Sequence, residues 1–197
     1  MKKEAMDAAR ESLMIERDTI GSILEYLDED AFAKAVDMLC DCGKAITSAC
    51  GSSGVATEKF AHTLNCIERD GVFLSPAKAL HGGMGCIKRG DVVVLASRGG
   101  KTAELLPIAD AVGKKGAKLI VVTEREDSAL GLAADVVLKI DIAREADPLD
   151  VMATSSFIAM AALFDALIAA IMTQTGYEIG QFALIHPGGA VGERLNK

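Results

Sequence analysis

Four short runs rich in apolar and β-branched residues constrain the fold of this chain most strongly. They are Lys44–Ala49, Asp91–Ala96, Lys118–Thr123 and Asp135–Ile140. Continuous apolar strands that alternate with helical patterns are typical of a parallel sheet covered on both faces. With a further short strand at Val72–Leu74, the pattern predicts an α/β fold with a doubly wound five-stranded parallel sheet flanked by helices.

The predicted helices determine where functional residues are expected. They cover roughly residues 53–66, 101–115, 128–134 and 157–172. Ligands of a doubly wound sheet bind outside the carboxyl ends of its strands, so the loops that follow the strands are the candidate binding segments. The last helix is strongly apolar but contains Asp165, and we predict a buried core helix rather than a membrane span.

Residues 1–43 are predicted to form an N-terminal helical arm that belongs to the same domain as the sheet, which occupies residues 44–197. The apolar face of the first helix consists of Leu13, Ile20, Ile23, Leu24 and Leu27. Acidic residues at 28–30 interrupt this helix, and Asp30 can cap a second helix that runs through Leu39. Such an arm either covers a sheet edge or packs against another subunit.

The composition excludes several classes of partner. The formal net charge is −7, which argues against a surface that binds nucleic-acid phosphates. The five cysteines are odd in number and lack paired Cys-x-x-Cys spacing, so neither a disulfide framework nor a zinc site is predicted. No signal peptide is recognisable. The sequence therefore predicts a cytoplasmic protein without a metal, a cofactor or a membrane partner.

The segment Leu95–Thr102, LASRGGKT, ends like a nucleotide-binding P-loop. That loop has the pattern Gly-x-x-x-x-Gly-Lys-Ser/Thr. Its first glycine would fall on Leu95, inside the predicted strand. The loop is too short to wrap a polyphosphate, so the sequence does not predict an ATPase.

Hydroxyl groups cluster instead at the ends of strands and the starts of helices. The clusters are Ser52–Ser53, Ser97–Thr102 and Thr154–Ser156. Unpaired backbone N–H groups and the helix dipole favour an anion at a helix N-terminus, and hydroxyls add further donors. One such turn is usually only a helix cap. Three in one α/β domain favour a pocket for a phosphate ester.

Longer motifs carry a resemblance to a known family. They are AREADPL at 143–149, ATSS at 153–156 and FALIHPGGAVGERL at 182–195. Together they resemble the sugar isomerase (SIS) domain, and within it most closely the arabinose-5-phosphate isomerases. The resemblance implies a homodimer or homotetramer with active sites between subunits. Because the sequence ends at Lys197, we expect no counterpart of the CBS pair that usually follows the domain.

The resemblance also implies roles for individual residues. Glu145 would be the catalytic base, and His186 would assist ring opening or proton transfer. Ser97 and Thr102 would donate to the phosphate, while His81 would contact the sugar. The predicted phosphosugar-binding residues are Ser52, Ser53, His81, Ser97, Gly100, Lys101, Thr102, Thr154 and Ser155.

Two positions depart from the family pattern. Ser52 stands where the first loop of the family carries Lys, and Lys101 stands where the second loop carries Glu. A positive charge has therefore moved between the loops, and one carboxylate has been lost. Lys101 can contact a phosphate or hydroxyl, but it cannot replace a carboxylate base.

The leading hypothesis is a metal-independent phosphosugar aldose–ketose isomerase that works through an enediol, as the resemblance implies. The alternative is a non-catalytic domain that senses a phosphosugar and acts through a partner protein, since no basic recognition helix for DNA is present. A lyase or hydrolase of an acetylated sugar phosphate is a third candidate. Glu145 and His186 fit isomerisation better.

Overall fold

A computed structural model describes residues 2–189, 192 and 194. Its strands are β1 Ala45–Ala49, β2 Gly71–Phe73, β3 Val92–Ala96, β4 Lys118–Thr123 and β5 Val136–Lys139. The helices are α1 Lys3–Tyr26, α2 Glu29–Asp41, α3 Gly51–Cys66, α4 Pro76–Leu80, α5 Leu106–Lys115, α6 Ala129–Ala133, α7 Ser155–Thr175 and α8 Ile179–Ile185. A short 3₁₀ helix, Gly83–Cys86, follows α4. The predicted five-stranded α/β fold is confirmed.

The strands are parallel and follow the order β2-β1-β3-β4-β5. The chain winds outward from β1 to β2, then returns past β1 to β3, where Ala96 lies beside Ala49 in register. The direction of winding therefore reverses between β1 and β3. In sheets of this kind a crevice opens at the carboxyl ends of the strands at the reversal point.

Helices cover both faces of the sheet, as the continuous apolar strands require. Val92, Val94 and Ala96 of β3 join a core cluster with α1, α2, α3 and α7. Val93 and Leu95 point to the other face and join a cluster with α4, α5 and α6. Because both sides of every central strand are buried, no alternation of polar and apolar residues appears in the sequence.

The long apolar segment forms α7, which packs inside the domain. By length and composition α7 is the one described helix that could cross a membrane. In the structure, however, residues such as Leu163, Phe164 and Leu167 are buried in the core. The ring of Phe164 stacks on that of Phe60 from α3, with centroids 4.4 Å apart. Packing within the chain therefore explains why α7 is so apolar.

The N-terminal arm is only partly packed on the sheet domain. Ile23 enters the core, whereas the side chains of Leu13 and Leu24 are exposed, at 68% and 81%. The predicted apolar face of α1 is thus largely uncovered within one chain. The prediction that Asp30 caps α2 was wrong. The N-cap is Asp28, whose carboxylate accepts from the Ala31 N–H at 3.0 Å.

Two helices start at different residues from those predicted. α3 begins at Gly51, directly after β1. α5 begins only at Leu106, because residues 103–105 form a turn in which the Leu105 N–H donates to Thr102 O at 3.0 Å. Pro107 suits the first turn of a helix because it lacks an N–H. The loop after β3 therefore does not lead directly into a helix N-terminus.

Candidate active site

The loop after β1 presents backbone donors at the carboxyl edge of the sheet. Cys50 is the N-cap of α3, and the N–H groups of Gly51, Ser52 and Ser53 in the first turn have no partner within the helix. A side chain at Gly54 would bring its Cβ to 2.8 Å from the Ala49 carbonyl oxygen. Glycine at this position thus allows the helix to start directly on the strand end, as an anion-binding turn requires.

The loop after β3 is internally braced. The hydroxyls of Ser97 and Thr102 lie 2.8 Å apart, and the Gly100 N–H donates to Ser97 Oγ at 3.1 Å. Gly100 adopts a φ of +64°, and a Cβ there would collide with Ser128. Only glycine therefore permits this loop to lie against the start of α6.

A first cavity of about 580 Å³ opens between the ends of β1 and β2 and the segment after β3. Its polar lining comes from Cys50, Glu58, Ser75, His81 and Glu104. None of the described residues that line it is Lys or Arg. This cavity lies at the carboxyl edge, beside the reversal of winding. It can accommodate a hydroxylated ligand and offers carboxylates and an imidazole to it.

A second cavity of about 440 Å³ is lined by residues from the other side of the loop after β3. It is lined by Arg98, Gly99, Lys101, Glu124, Arg125, Asp127 and Ser128. Lys101 thus lies in a cavity that Ser52, Ser53 and His81 do not line. The structure separates predicted binding residues that the sequence pattern grouped together.

Glu145 is almost completely buried, with 2% of its surface exposed. One carboxylate oxygen accepts from Arg98 Nη1 at 2.9 Å and from Ser156 Oγ at 2.5 Å. The other accepts from the N–H groups of Thr154 and Ser156, at 2.9 and 3.1 Å, and from Thr154 Oγ1 at 3.2 Å. The carboxylate therefore ties the segment after β5 to the start of α7 and to the loop after β3.

The environments of the two carboxylates beside Arg98 shift their pKa values in opposite directions. Burial acts to raise the pKa of Glu145, but hydrogen bonds from Ser156 and Thr154 outweigh it, and the pKa is lowered from its ordinary value. Glu124 also accepts from Arg98 Nε, at 2.8 Å. Its pKa is nevertheless raised, because burial outweighs the attraction of Arg98. Glu145 is thus held firmly as an anion.

The remaining predicted residues near α7 face inward. Thr154 Oγ1 accepts from the Ala146 N–H at 2.7 Å, in addition to its contact with Glu145. Ser155 is fully buried, and its hydroxyl has no hydrogen-bond partner among the described atoms. A ligand could reach Ser155 only after rearrangement of the surrounding side chains. The phosphosugar contacts predicted for Thr154 and Ser155 stay predictions.

His186 does not line either cavity of its own chain. α8 is attached to the end of α3, where Tyr177 Oη donates to Cys66 O at 2.8 Å and Gln181 to Glu68 at 2.6 Å. That end of α3 precedes β2 and lies at the amino edge of the sheet. The His186 ring stacks on Phe182 with centroids 3.8 Å apart. Within one chain His186 and Glu145 do not meet, and part of the quoted 182–195 motif lies outside the described residues.

Two carboxylates in the first cavity were not predicted from the sequence. Glu58 lies on α3 and Glu104 in the turn before α5. A signal for Glu104 was present, because it follows the Ser97–Thr102 loop at the carboxyl end of β3. Among the residues that the structure describes, no group of three or more His, Cys, Asp or Glu side chains could hold a metal ion.

The comparison with known families agrees with this geometry. The family model of the SIS domain matches residues 38–170, more than half of the chain. The chain belongs to the SIS domain family. The matched residues include all five strands and the loops after β1 and β3.

Individual relatives extend the similarity over nearly the whole chain. Arabinose 5-phosphate isomerase GutQ of Escherichia coli is 37% identical over 196 residues, which are 99% of this chain and 61% of that protein. This SIS chain therefore spans about three-fifths of the length of that relative.

Two solved structures resemble the chain closely. A Listeria monocytogenes protein superimposes with a TM-score of 0.92 at 40% identity, covering 95% of this chain and 100% of that one. An Escherichia coli protein in complex with A5P gives a TM-score of 0.89 at 26% identity, with the same coverage of 95% and 100%.

Proposed function

We propose that the chain is a metal-independent phosphosugar aldose–ketose isomerase that accepts a substrate like arabinose 5-phosphate. The observation that carries the proposal is the 37% identity with an arabinose 5-phosphate isomerase over 99% of this chain. The solved relative in complex with A5P adds support, because its structure superimposes on this chain with a TM-score of 0.89.

The phosphate group is proposed to bind between the loops after β1 and β3. There the start of α3 offers unpaired N–H groups and a favourable dipole. Ser97 and Thr102 share one hydrogen bond with each other, which leaves a hydroxyl hydrogen for an acceptor such as a phosphate oxygen. Ser52 and Ser53 extend the same set of donors. The sugar would then extend into the first cavity, towards His81.

Isomerisation demands two kinds of group beside the sugar. A base must remove a proton from the carbon next to the carbonyl, and a donor must stabilise the oxygen that gains charge as the enediol forms. The resemblance assigns these tasks to Glu145 and His186. In this structure Glu145 has five hydrogen bonds to its carboxylate and would have to release some of them to act.

A homo-oligomer with sites at subunit interfaces is part of the proposal. Because α8 is attached at the end of α3, at the amino edge of its own sheet, His186 is proposed to reach the carboxyl edge of a neighbouring chain's sheet. Met14, Leu13 and Leu24 form an exposed apolar face on α1, at 50%, 68% and 81% exposure, and such faces mark association surfaces. Light scattering that gives the mass of a monomer would contradict this part. A cytoplasmic location is proposed from the sequence alone.

The proposal is tested by incubating the purified chain with arabinose 5-phosphate and a panel of pentose, hexose and amino-sugar phosphates. Formation of the corresponding ketose is measured directly, and thermal-shift titration measures binding, with inorganic phosphate as the control. Ketose formation from at least one aldose phosphate is expected. Stabilisation by a phosphosugar without any turnover would contradict the isomerase and favour a phosphosugar sensor.

A further inference from the structure

We propose that the first cavity selects an aldose phosphate that carries an ammonium group, and that Glu58 is the residue that sets this preference. The ligand class is therefore an amino-sugar phosphate whose amine lies at the end of the sugar remote from the phosphate. This assignment rests on the proposed isomerase function and names the class of substrate on which it acts.

The fixed charges of the first cavity are two carboxylates. Glu58 and Glu104 both line it, and its other titratable lining residues are Cys50 and His81, with no Lys or Arg among those described. Both glutamates are exposed, and neither has a hydrogen bond or an ion pair among the described residues. A cleft lined by charge of one sign attracts ligands of the opposite sign. This cavity therefore favours a positive group on the part of the ligand that enters it.

The two carboxylates face the same space from different elements. Gly51, Val55 and Glu58 line the cavity from α3, and their spacing of four and three residues places them on one face of that helix. Glu104 lines the cavity from the turn before α5. Its negative charge reaches the start of α3, where burial and then this charge raise the pKa of the Cys50 thiol. A ligand in the cavity is thus exposed to both carboxylates.

The loops around the cavity supply no positive charge of their own. Ser52 stands where the first loop of the family carries Lys, and the residues of this loop that line the cavity, Cys50 and Gly51, add no cation. Lys101, the cation that the loop after β3 has gained, lines the second cavity instead. The counter-charge for the two carboxylates is therefore left to the ligand.

The position of Glu58 on α3 determines which end of the sugar carries the amine. The phosphate is proposed to bind at the first N–H groups of α3, beginning with that of Gly51. Glu58 lies about two turns, or about 10 Å, further along the same helix. A sugar that extends from the phosphate along α3 brings its far end to Glu58, and not the carbon that bears the phosphate.

The preference comes from charge rather than from nitrogen as such. An ammonium group donates three hydrogen bonds and carries a full positive charge. A carboxylate therefore binds it more strongly than it binds a hydroxyl in the same place. An N-acetylated amine is neutral and forms only an ordinary hydrogen bond, so it should not gain from the two carboxylates.

The experiment measures the dissociation constants of glucosamine 6-phosphate, glucose 6-phosphate and N-acetylglucosamine 6-phosphate by titration calorimetry. These ligands share one sugar skeleton and differ only at C2, near the end remote from the phosphate. The wild type is expected to bind glucosamine 6-phosphate at least about fivefold more tightly than glucose 6-phosphate, as for an exposed ion pair at the upper end of its range. N-acetylglucosamine 6-phosphate should bind no more tightly than glucose 6-phosphate.

Three variants assign the preference to a residue. Glu58→Gln should reduce the affinity ratio of glucosamine 6-phosphate to glucose 6-phosphate to about twofold or less, whereas Glu58→Asp keeps the charge and should retain most of the ratio. Glu126→Gln is the matched control, because Glu126 is exposed in the segment after β4 but lines neither cavity. It should leave the ratio unchanged.

Turnover is measured alongside binding, so the two proposals fail separately. Equal wild-type affinities for glucosamine 6-phosphate and glucose 6-phosphate overturn the amine preference, while ketose formation from arabinose 5-phosphate would still support the isomerase. A preference that Glu58→Gln leaves intact overturns the role of Glu58. A preference without ketose formation from any aldose phosphate contradicts the isomerase and leaves the ligand class standing.

Discussion

The two cavities at the carboxyl edge of the sheet use charge differently. In the first cavity the titratable groups Glu58, Glu104 and His81 face open space. Beside the second cavity, Arg98 joins Glu124 and Glu145 in hydrogen-bonded ion pairs of 2.8 and 2.9 Å. The loop after β3 separates the two. One side therefore keeps its polar groups available for a ligand, while the other uses them to hold the loops in place.

This difference shows that the partners of a charged residue indicate whether it stabilises the fold or is available to a ligand. A carboxylate that accepts several hydrogen bonds inside the protein stabilises the fold, because removing it leaves buried donors unpaired. A carboxylate that faces a cavity without partners contributes little to folding. Glu145 belongs to the first kind and Glu104 to the second. Four experiments test how the two sides of the loop after β3 differ.

The largest effect is expected from Glu145→Ala. The change leaves Arg98 and the buried donors of Thr154 and Ser156 without their acceptor, so we expect the free energy of unfolding to fall by about 3 kcal/mol. Urea denaturation followed by circular dichroism measures it. Glu11→Ala removes the exposed partner of Arg144 as a control, with a cost below about 1 kcal/mol. Equal losses in the two variants would refute a structural role for Glu145.

The next effect concerns the phosphate loop. The double variant Ser97→Ala and Thr102→Ala removes two hydroxyl donors at once, and we expect the affinity for arabinose 5-phosphate to fall at least tenfold, or about 1.4 kcal/mol. Titration calorimetry provides the number. Thr173→Ala serves as the control, since its hydroxyl bonds only Ala169 O within α7. Unchanged affinity in the double variant would mean that the phosphate binds elsewhere.

A pH series should distinguish the two carboxylates that share Arg98. The lowered pKa of Glu145 gives stability that is present above the unfolded value of about 4.3 and is lost as the pH falls through the folded value. The raised pKa of Glu124 acts oppositely, so stability from this group increases as the pH falls towards about 4.3.

Urea midpoints from pH 7 to pH 3 measure both contributions. Compared with the wild type, Glu145→Gln should lose less stability on acidification, and Glu124→Gln should lose more. Parallel curves for all three proteins would show that the pKa of Glu145 is not lowered and that the pKa of Glu124 is not raised. A repeat of the wild-type series in 0.5 M salt is the control, because at that concentration salt screens the exposed ion pairs and leaves the buried carboxylates largely unaffected.

The smallest effect is expected from Lys101→Gln. Lys101 lines the second cavity, whereas His81 lines the first, so we expect the affinity for arabinose 5-phosphate to change less than about threefold. The same calorimetric titration reports it. A tenfold loss would place the phosphate on the side of the second cavity. It would also support the phosphate contact that the sequence predicts for Lys101.

The sheet was predictable because its strands are buried on both faces. The run Leu119–Val122 is apolar throughout, and the structure reproduces the predicted strand Lys118–Thr123 that contains it residue for residue. Helix starts were less predictable. The Lys101–Leu105 segment has ordinary helix-forming residues, but the bond between Thr102 and Ser97 and the turn at Leu105 delay α5 to Leu106. These contacts depend on how the loop folds back on β3.

The residues of the candidate site also differ in how well the sequence predicts them. Local motifs identified the turns that contain Ser52, Ser97 and Thr102, since a strand followed by Gly and Ser can be recognised from sequence alone. They did not reveal that Glu145 is enclosed, because its partner Arg98 is 47 positions away in the chain. Nor did they identify Glu104, whose significance depends on which residues share a cavity with it.

The sequence by itself determined the α/β class, the five strands and the loops that follow β1 and β3, because hydrophobic patterning and glycine-containing turns act over a few neighbouring residues. Only the tertiary structure decided which carboxylates are buried and which face a cavity, and that the segment leading into α8 is attached at the opposite edge of its own sheet. Burial and ion pairing depend on residues brought together from distant positions. The availability of a charged group for chemistry therefore follows from the packing around it.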